Sequence, residues 1–95
     1  MDVFVCYEIN YGECCNGYTV ESLTVYNSAD KALNWICARI LKGQAQNFVM
    51  DEEDPWTEAG AKQNLEKGSF SLRMYYSKQG SEDGYDIIVE KREVQ

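Results

Sequence analysis

Residues 28–43, SADKALNWICARILKG, decide the fold, because they carry the clearest helical periodicity in the chain. Asn27-Ser28 offers a helix cap, and the apolar positions that follow it have the i, i+3, i+4, i+7 spacing of a single buried stripe. These positions are Ala29, Ala32, Leu33, Ile36, Cys37, Ile40 and Leu41. Gly43 stands where a helix-ending residue is expected. The stretch therefore predicts one amphipathic helix that packs on the rest of the protein.

A hairpin is predicted before this helix. Between Asp2 and Ile9 apolar residues occupy alternate positions, which is the period of a strand with one face on a core. A turn in residues 11–17 containing two glycines leads to a second β-favouring segment, residues 18–26. The residues expected to face the helices are Val3, Val5, Tyr7 and Ile9, and those expected to face away are Phe4, Cys6 and Glu8.

A second helix and a second hairpin are predicted in the rest of the chain. Asp54 can cap a helix that starts at Pro55, reaches about Lys67 and ends at Gly68. Its inward residues are expected to be Trp56, Ala59 and Leu65. Two alternating segments follow, separated by the glycine-bounded loop 78–84, and their outward residues are Arg73, Tyr75, Asp86, Ile88 and Glu90.

The element order predicts the fold class. A β-β-α-α-β-β chain of 95 residues favours a single α+β domain, residues 1–95, with two layers. We expect a four-stranded antiparallel sheet with the helices packed on one face. The opposite face needs either side chains that tolerate water or a covering partner.

Charge is distributed unevenly along the chain. Sixteen Asp and Glu residues stand against nine Lys and Arg, a net charge of −7, and the whole excess lies in residues 1–58. A pI near 4.4 disfavours direct binding to nucleic acid or to an anionic membrane, because both require basic groups. No leader-like segment or membrane-length apolar run is present, so the sequence favours a cytoplasmic protein. We accordingly expect its four cysteines to be free thiols.

Residue types argue against catalysis. The absence of histidine excludes Ser-His-Asp and Cys-His nucleophiles and His-based zinc sites. The cysteines lack the paired spacing of structural zinc ligands, and the acidic run 51–54 lacks the spacing of a calcium loop. That run either caps the second helix or forms an acidic patch for a partner. We therefore predict a protein that is not an enzyme and needs no metal or cofactor.

The remaining pattern predicts protein binding. Seven tyrosines and an outward sheet face indicate an aromatic surface rimmed by carboxylates, which fits a protein partner or a second copy of the chain in a homodimer. The predicted partner-binding residues are Phe4, Glu8, Tyr18, Tyr26, Asp51, Glu52, Glu53, Tyr75, Asp86, Ile88 and Glu90. The alternative is an inhibitor whose carboxylates imitate nucleic-acid phosphates and occupy the cleft of a basic DNA- or RNA-binding protein.

Overall fold

The computed structural model describes residues 1–11, 19–50, 57–76 and 84–94. The described elements, in chain order, are β1 (Asp2–Tyr11), β2 (Thr19–Tyr26), α1 (Ala29–Ala45), β3 (Phe48–Met50), α2 (Glu58–Lys67), β4 (Ser69–Tyr76) and β5 (Gly84–Glu93). The strands form one antiparallel sheet in the order β2-β1-β5-β4-β3. The predicted α+β class with an antiparallel sheet is confirmed.

The sheet has five strands in the described part of the chain, not the predicted four. The additional strand is β3, which pairs with β4 through Phe48 and Tyr76, Val49 and Tyr75, and Met50 and Met74. Three residues are too few to show an alternating pattern in a sequence, so this strand is recognised only by its neighbour. The element order is consequently β-β-α-β-α-β-β.

The core lies between the sheet and the two helices. We call the sheet surface that carries the helices the inner face and the opposite surface the outer face. Both helices contribute fully buried residues, such as Ile36 and Leu65, which pack with the inner faces of β1, β4 and β5. The inner residues of those strands include Phe4, Cys6, Phe70, Met74, Ile87 and Val89.

The prediction of which side of β1 faces the helices is wrong. Phe4 is 6% exposed and Glu8 is 9% exposed, and both lie on the inner face, whereas Val5 and Tyr7 are only half-buried. The reason lies in the pairing of β1 with β5, which places Cys6 beside the buried Val89. A period of two separates two sets of residues but does not say which set is inside.

The start of α1 is as predicted, but its end is not. Ser28 caps the helix by accepting a hydrogen bond from the Lys31 amide (3.2 Å). Gly43 does not end the helix, which continues to Ala45 with Gln46 as its C-cap. Glycine is needed at position 43 because a Cβ atom there would overlap the hydroxyl of Tyr85. Gly43 therefore permits a close approach between α1 and β5.

Helix α2 begins later than predicted. Thr57 is the N-cap and accepts a hydrogen bond from the Gly60 amide (3.0 Å), so the helix starts at Glu58. Its buried residues are Ala61 and Leu65, while the predicted Ala59 is exposed. Leu65 is buried as predicted, so the prediction differs in the first turns of the helix and not at its centre. The predicted residues that lie outside the described part of the chain are Asp54, Pro55 and Trp56.

Candidate protein-interaction surface

The outer face of the sheet carries a continuous group of apolar side chains. It spans the neighbouring strands β2, β1 and β5, where Val5 pairs with Val25, Ile9 with Val20, and Tyr7 with Ile88. We call this group the apolar strip, and its members are Val3, Val5, Tyr7, Ile9, Val20, Leu23, Val25 and Ile88. The strip exists because β1 and β2 have apolar residues on both of their faces while the helices cover only one.

The β2 residues of the strip are the most exposed. Val20 is 58% exposed, Leu23 65% and Val25 57%, whereas the β1 members are half-buried by their neighbours. Single exposed apolar residues are ordinary on protein surfaces, whereas the largest contiguous apolar patch of a protein is often functional. These three side chains keep contact with water that a covering surface would remove.

The other half of the outer face is polar and nearly neutral. The Arg73 guanidinium lies 2.9 Å from Asp86, and the Arg92 guanidinium lies 3.2 Å from Glu90. Each carboxylate is thus matched by a cation on the same face, and exposed pairs of this kind contribute little to stability. The apolar strip is therefore bordered by charges of both signs rather than by an acidic rim.

The predicted partner-binding residues divide into three groups. Tyr75, Asp86, Ile88 and Glu90 lie on the outer face, as predicted. Phe4, Glu8 and Tyr26 lie on the inner face, and their assignment to the outer surface is wrong, because the register pairs Tyr26 with the buried Phe4. The residues outside the described part of the chain are Tyr18, Asp51, Glu52 and Glu53.

Sequence reasoning missed most of the strip. Val3, Val5, Tyr7 and Ile9 were assigned to the core because apolar residues on alternate positions usually face inward. The alternate set, Phe4, Cys6 and Glu8, contains a charged residue, and charged residues usually face solvent. No local signal reveals that Glu8 is buried, since its partner Arg39 lies 31 positions later on α1.

Glu8 is the charged residue at the centre of the inner face. Its carboxylate lies 3.5 Å from Nε of Arg39. Burial raises the pKa of Glu8, and the positive charges of Arg39 and Lys42 oppose that rise. Tyr85 donates a hydrogen bond from its hydroxyl to the Arg39 carbonyl oxygen (3.2 Å), and its burial raises its pKa to about 12. The group ties β1, α1 and β5 together.

A small cleft of about 190 Å³ beside this group holds the best arrangement for acid-base chemistry. Its polar lining includes Glu8, Glu21 and Lys42, and the two glutamates are opposite each other on β1 and β2. Glu8 is already engaged by Arg39, and Tyr85 keeps its proton at neutral pH. The cleft thus offers carboxylates but no evident nucleophile to activate.

Thiol and metal chemistry gain no support from the described residues. Cys6 is free and buried, and burial raises its pKa to about 11, so the thiolate is disfavoured. Cys37 is free and half-buried, and its pKa is also raised, first by burial and then by Glu58. In residues 1–11, 19–50, 57–76 and 84–94, no three metal-ligating side chains come together. Cys14 and Cys15 lie outside these ranges.

Comparison of the chain with protein families, with curated proteins and with solved structures finds no match. In the described part of the chain, neither helix is long and apolar enough to cross a membrane. The geometry of the chain itself is therefore the basis for inferring its function.

Proposed function

We propose that this protein is a non-catalytic protein-binding domain that uses the apolar strip as its contact surface. The observation that carries the proposal is the high exposure of Val20, Leu23 and Val25 beside the half-buried apolar residues of β1. Large exposed apolar patches on a folded domain are typical of interaction surfaces. A covering partner removes these side chains from water, which favours association.

The size of the strip fits the centre of an interface. Three strands about 4.8 Å apart and alternate residues over about 20 Å give a footprint of roughly 300 Å². A standard interface buries about 800 Å² on each partner, with an apolar centre and a polar rim. The neighbouring ion pairs of Arg73 with Asp86 and Arg92 with Glu90 supply such a rim.

The partner fitted by this surface is a protein with a matching apolar patch. The outer face is close to neutral, because its carboxylates are paired with arginines. We therefore do not expect this face to attract a strongly basic partner over long distances. Nine carboxylates and eight cations lie among the described residues, a net charge of −1, and six of the seven excess negative charges belong to the rest of the chain. Binding through the strip should therefore depend weakly on salt.

The alternative inhibitor function rests on other residues and stays a prediction. Asp51, Glu52 and Glu53 lie outside the described residues, and Asp86 and Glu90 each form an ion pair with an arginine. The apolar strip is therefore the better supported basis for a function.

The test replaces the centre of the strip without removing β-branched shape. Val5→Thr combined with Ile88→Thr adds two hydroxyls, while Val49→Thr combined with Val94→Thr is the matched control at exposed positions outside the strip. Proteins retained by the immobilised wild-type chain are compared with those retained by each variant. Light scattering over a salt series tests whether the partner is a second copy.

We expect the strip variant to lose its partner or to become monomeric, and the control variant to behave as the wild type. Circular dichroism establishes that both variants remain folded. Retention of the same proteins by wild type and strip variant, together with an unchanged mass, would contradict the proposal. An association that disappears at moderate salt would also contradict it, because apolar contacts persist as charges are screened.

A further inference from the structure

A groove of about 450 Å³ runs along one side of α1 on the inner face of the sheet. Its lining residues are Tyr26, Lys31, Asn34, Trp35, Ala38, Arg39 and Lys42. Three of these seven residues are cations and none is a carboxylate, although the whole chain has a net charge of −7. We call this feature the basic groove. Its charge is opposite in sign to that of the protein that contains it.

The cations are spread along the groove rather than gathered at one point. Lys31, Trp35, Ala38 and Lys42 recur at spacings of four, three and four residues, so they share one side of α1. A helix rises about 1.5 Å per residue, which places Lys31 and Lys42 about 16 Å apart along the axis. This spacing suits an elongated ligand with several negative groups better than a compact anion.

Arg39 and Lys42 lie near the carboxylates of the neighbouring cleft, Glu8 and Glu21, whereas Lys31 lines the groove away from that cleft. Arg39 forms an ion pair with Glu8 (3.5 Å) and lies 5.4 Å from the centroid of the Trp35 ring. Lys31 donates a hydrogen bond to the neutral side chain of Asn27 (3.3 Å). Within the described part of the chain, neither Lys31 nor Lys42 forms an ion pair. Both lysines are exposed.

Trp35 lines the groove and is itself largely buried. The residue is only 7% exposed, and its indole Nε1 is buried without a hydrogen-bond partner among the described residues. The cations that line the groove favour a ligand that carries negatively charged oxygen acceptors.

The groove lies beside an open sheet edge. Strand β2 pairs with β1 on one side and with no described strand on the other. A register shift opposite Cys6–Glu8, where Ser22 has a φ of 59°, interrupts β2. Residues 23–26 follow the shift, and Tyr26 at their end lines the groove. That stretch is about 13 Å long, which is close to the length of the cationic side of α1.

We infer that this edge binds an extended acidic segment of a partner protein, which adds a sixth strand to β2. Side chains of an added strand alternate between the two faces of the sheet. Those on the inner face would meet Lys31, Lys42 and Trp35, while those on the outer face would lie beside Val25. The segment that fits therefore alternates acidic with apolar residues.

The experiment is an NMR titration of the ¹⁵N-labelled protein with a synthetic peptide. The probe has seven residues, with Glu at every odd position and Val at every even one, and both of its ends are blocked. The control peptide has the same composition, with all Glu residues placed before all Val residues. The readouts are the indole signal of Trp35, the amide signals of residues 23–26 and the dissociation constant.

Two matched variants test the role of the groove. Lys31→Gln with Lys42→Gln removes two groove charges, and Lys62→Gln with Lys67→Gln removes two exposed charges from α2. We expect the groove variant to weaken binding of the alternating peptide by about threefold to tenfold, and the α2 variant to leave it within about twofold. Val5→Thr and Ile88→Thr change β1 and β5, which do not form the sheet edge at β2. We expect these substitutions to leave the binding of the alternating peptide unchanged, so that the failure of one proposal can be distinguished from the failure of the other.

Several results would overturn the inference. Equal binding of the two peptides, equal effects of the two lysine variants, or no shift at Trp35 and residues 23–26 would each do so. Shifts of the same signals by inorganic phosphate at equal concentration would mark a site for small anions instead. Concentration-dependent shifts of the Trp35 indole and of the residue 23–26 amides in the absence of peptide would show that a second copy of the chain occupies the edge.

Discussion

The carboxylate of Glu8 lies 3.5 Å from Nε of Arg39, so the middle of β1 is joined to α1 by a largely buried ion pair. Burial is the main influence on Glu8 and raises its pKa, while Arg39 and Lys42 act in the opposite direction. The folded protein thus keeps a proton on Glu8 at pH values where the unfolded chain has lost it.

This pKa shift predicts a pH-dependent effect of Glu8→Gln. The stabilisation linked to the shift is fully present below the ordinary pKa of 4.5 and is lost as the pH rises through the raised folded value. The unfolding free energy of the wild type, minus that of the variant, should therefore fall as the pH rises above the ordinary pKa of 4.5. Urea unfolding at several pH values measures it, with the exposed Glu66→Gln as control. A difference that rises with pH would show that Arg39 outweighs burial.

Gly43→Ala should destabilise the protein even though alanine is the better helix former. The added Cβ overlaps the Tyr85 hydroxyl, and overpacking of this kind costs typically 1–3 kcal/mol against a helical gain of about 1 kcal/mol. Urea unfolding gives the free energies, and the exposed Gln44→Ala is the control on the same helix. In a Tyr85→Phe background the cost should shrink; an equal cost in both backgrounds would mean that the hydroxyl is not the obstacle.

Native alkylation should separate the two described cysteines. Cys6 is fully buried with a pKa of about 11. Cys37 is half-buried, so reagents reach its thiol more easily, although its pKa is also raised. We expect iodoacetamide at about pH 8 to modify Cys37 first and Cys6 only at the rate of protein opening. Peptide mass spectrometry over time distinguishes the sites, and labelling in urea is the control. Equal native rates would show that Cys6 is not in the core.

Loss of the α1 cap should have a measurable effect. Ser28 accepts a hydrogen bond from the Lys31 amide, and replacement by alanine leaves that donor without its side-chain acceptor. We expect Ser28→Ala to lower the unfolding free energy by about 1 kcal/mol in urea unfolding. Ser71→Ala, on the exposed outer face of β4, is the matched control. A cost below that of the control would show that the cap does not stabilise the helix.

Helix ends show what local sequence can predict. Ser28 and Gly68 were identified because caps act through hydrogen bonds and backbone angles within a few residues, and Gly68 indeed has a φ of 135° at the end of α2. Gly43 has the same local appearance but serves a contact with Tyr85, which is 42 positions away. The sequence contains both Gly43 and Tyr85, but no local pattern shows that they are in contact.

The candidate surface shows the same division. Strand β5 has one clearly apolar side, so Ile88 and Glu90 were correctly placed on the outer face. Strand β1 has apolar residues on both sides, and its orientation follows from β5 and from the ion pair of Glu8 with Arg39. Period-two patterns identify a strand, but long-range partners choose the side that is buried.

The pairing of β1 with β5 also governs the order of assembly. These strands join near the middle of the sheet, from Asp2 opposite Glu93 to Tyr11 opposite Gly84, so their contacts span nearly the whole sequence. Closing so long a loop costs conformational entropy before the contacts between the strands can stabilise the chain, and contacts of this range slow folding. On the ribosome, α1 has no complete sheet to pack against until β5 has been made. We therefore expect the chain to acquire its fold in one late, cooperative event.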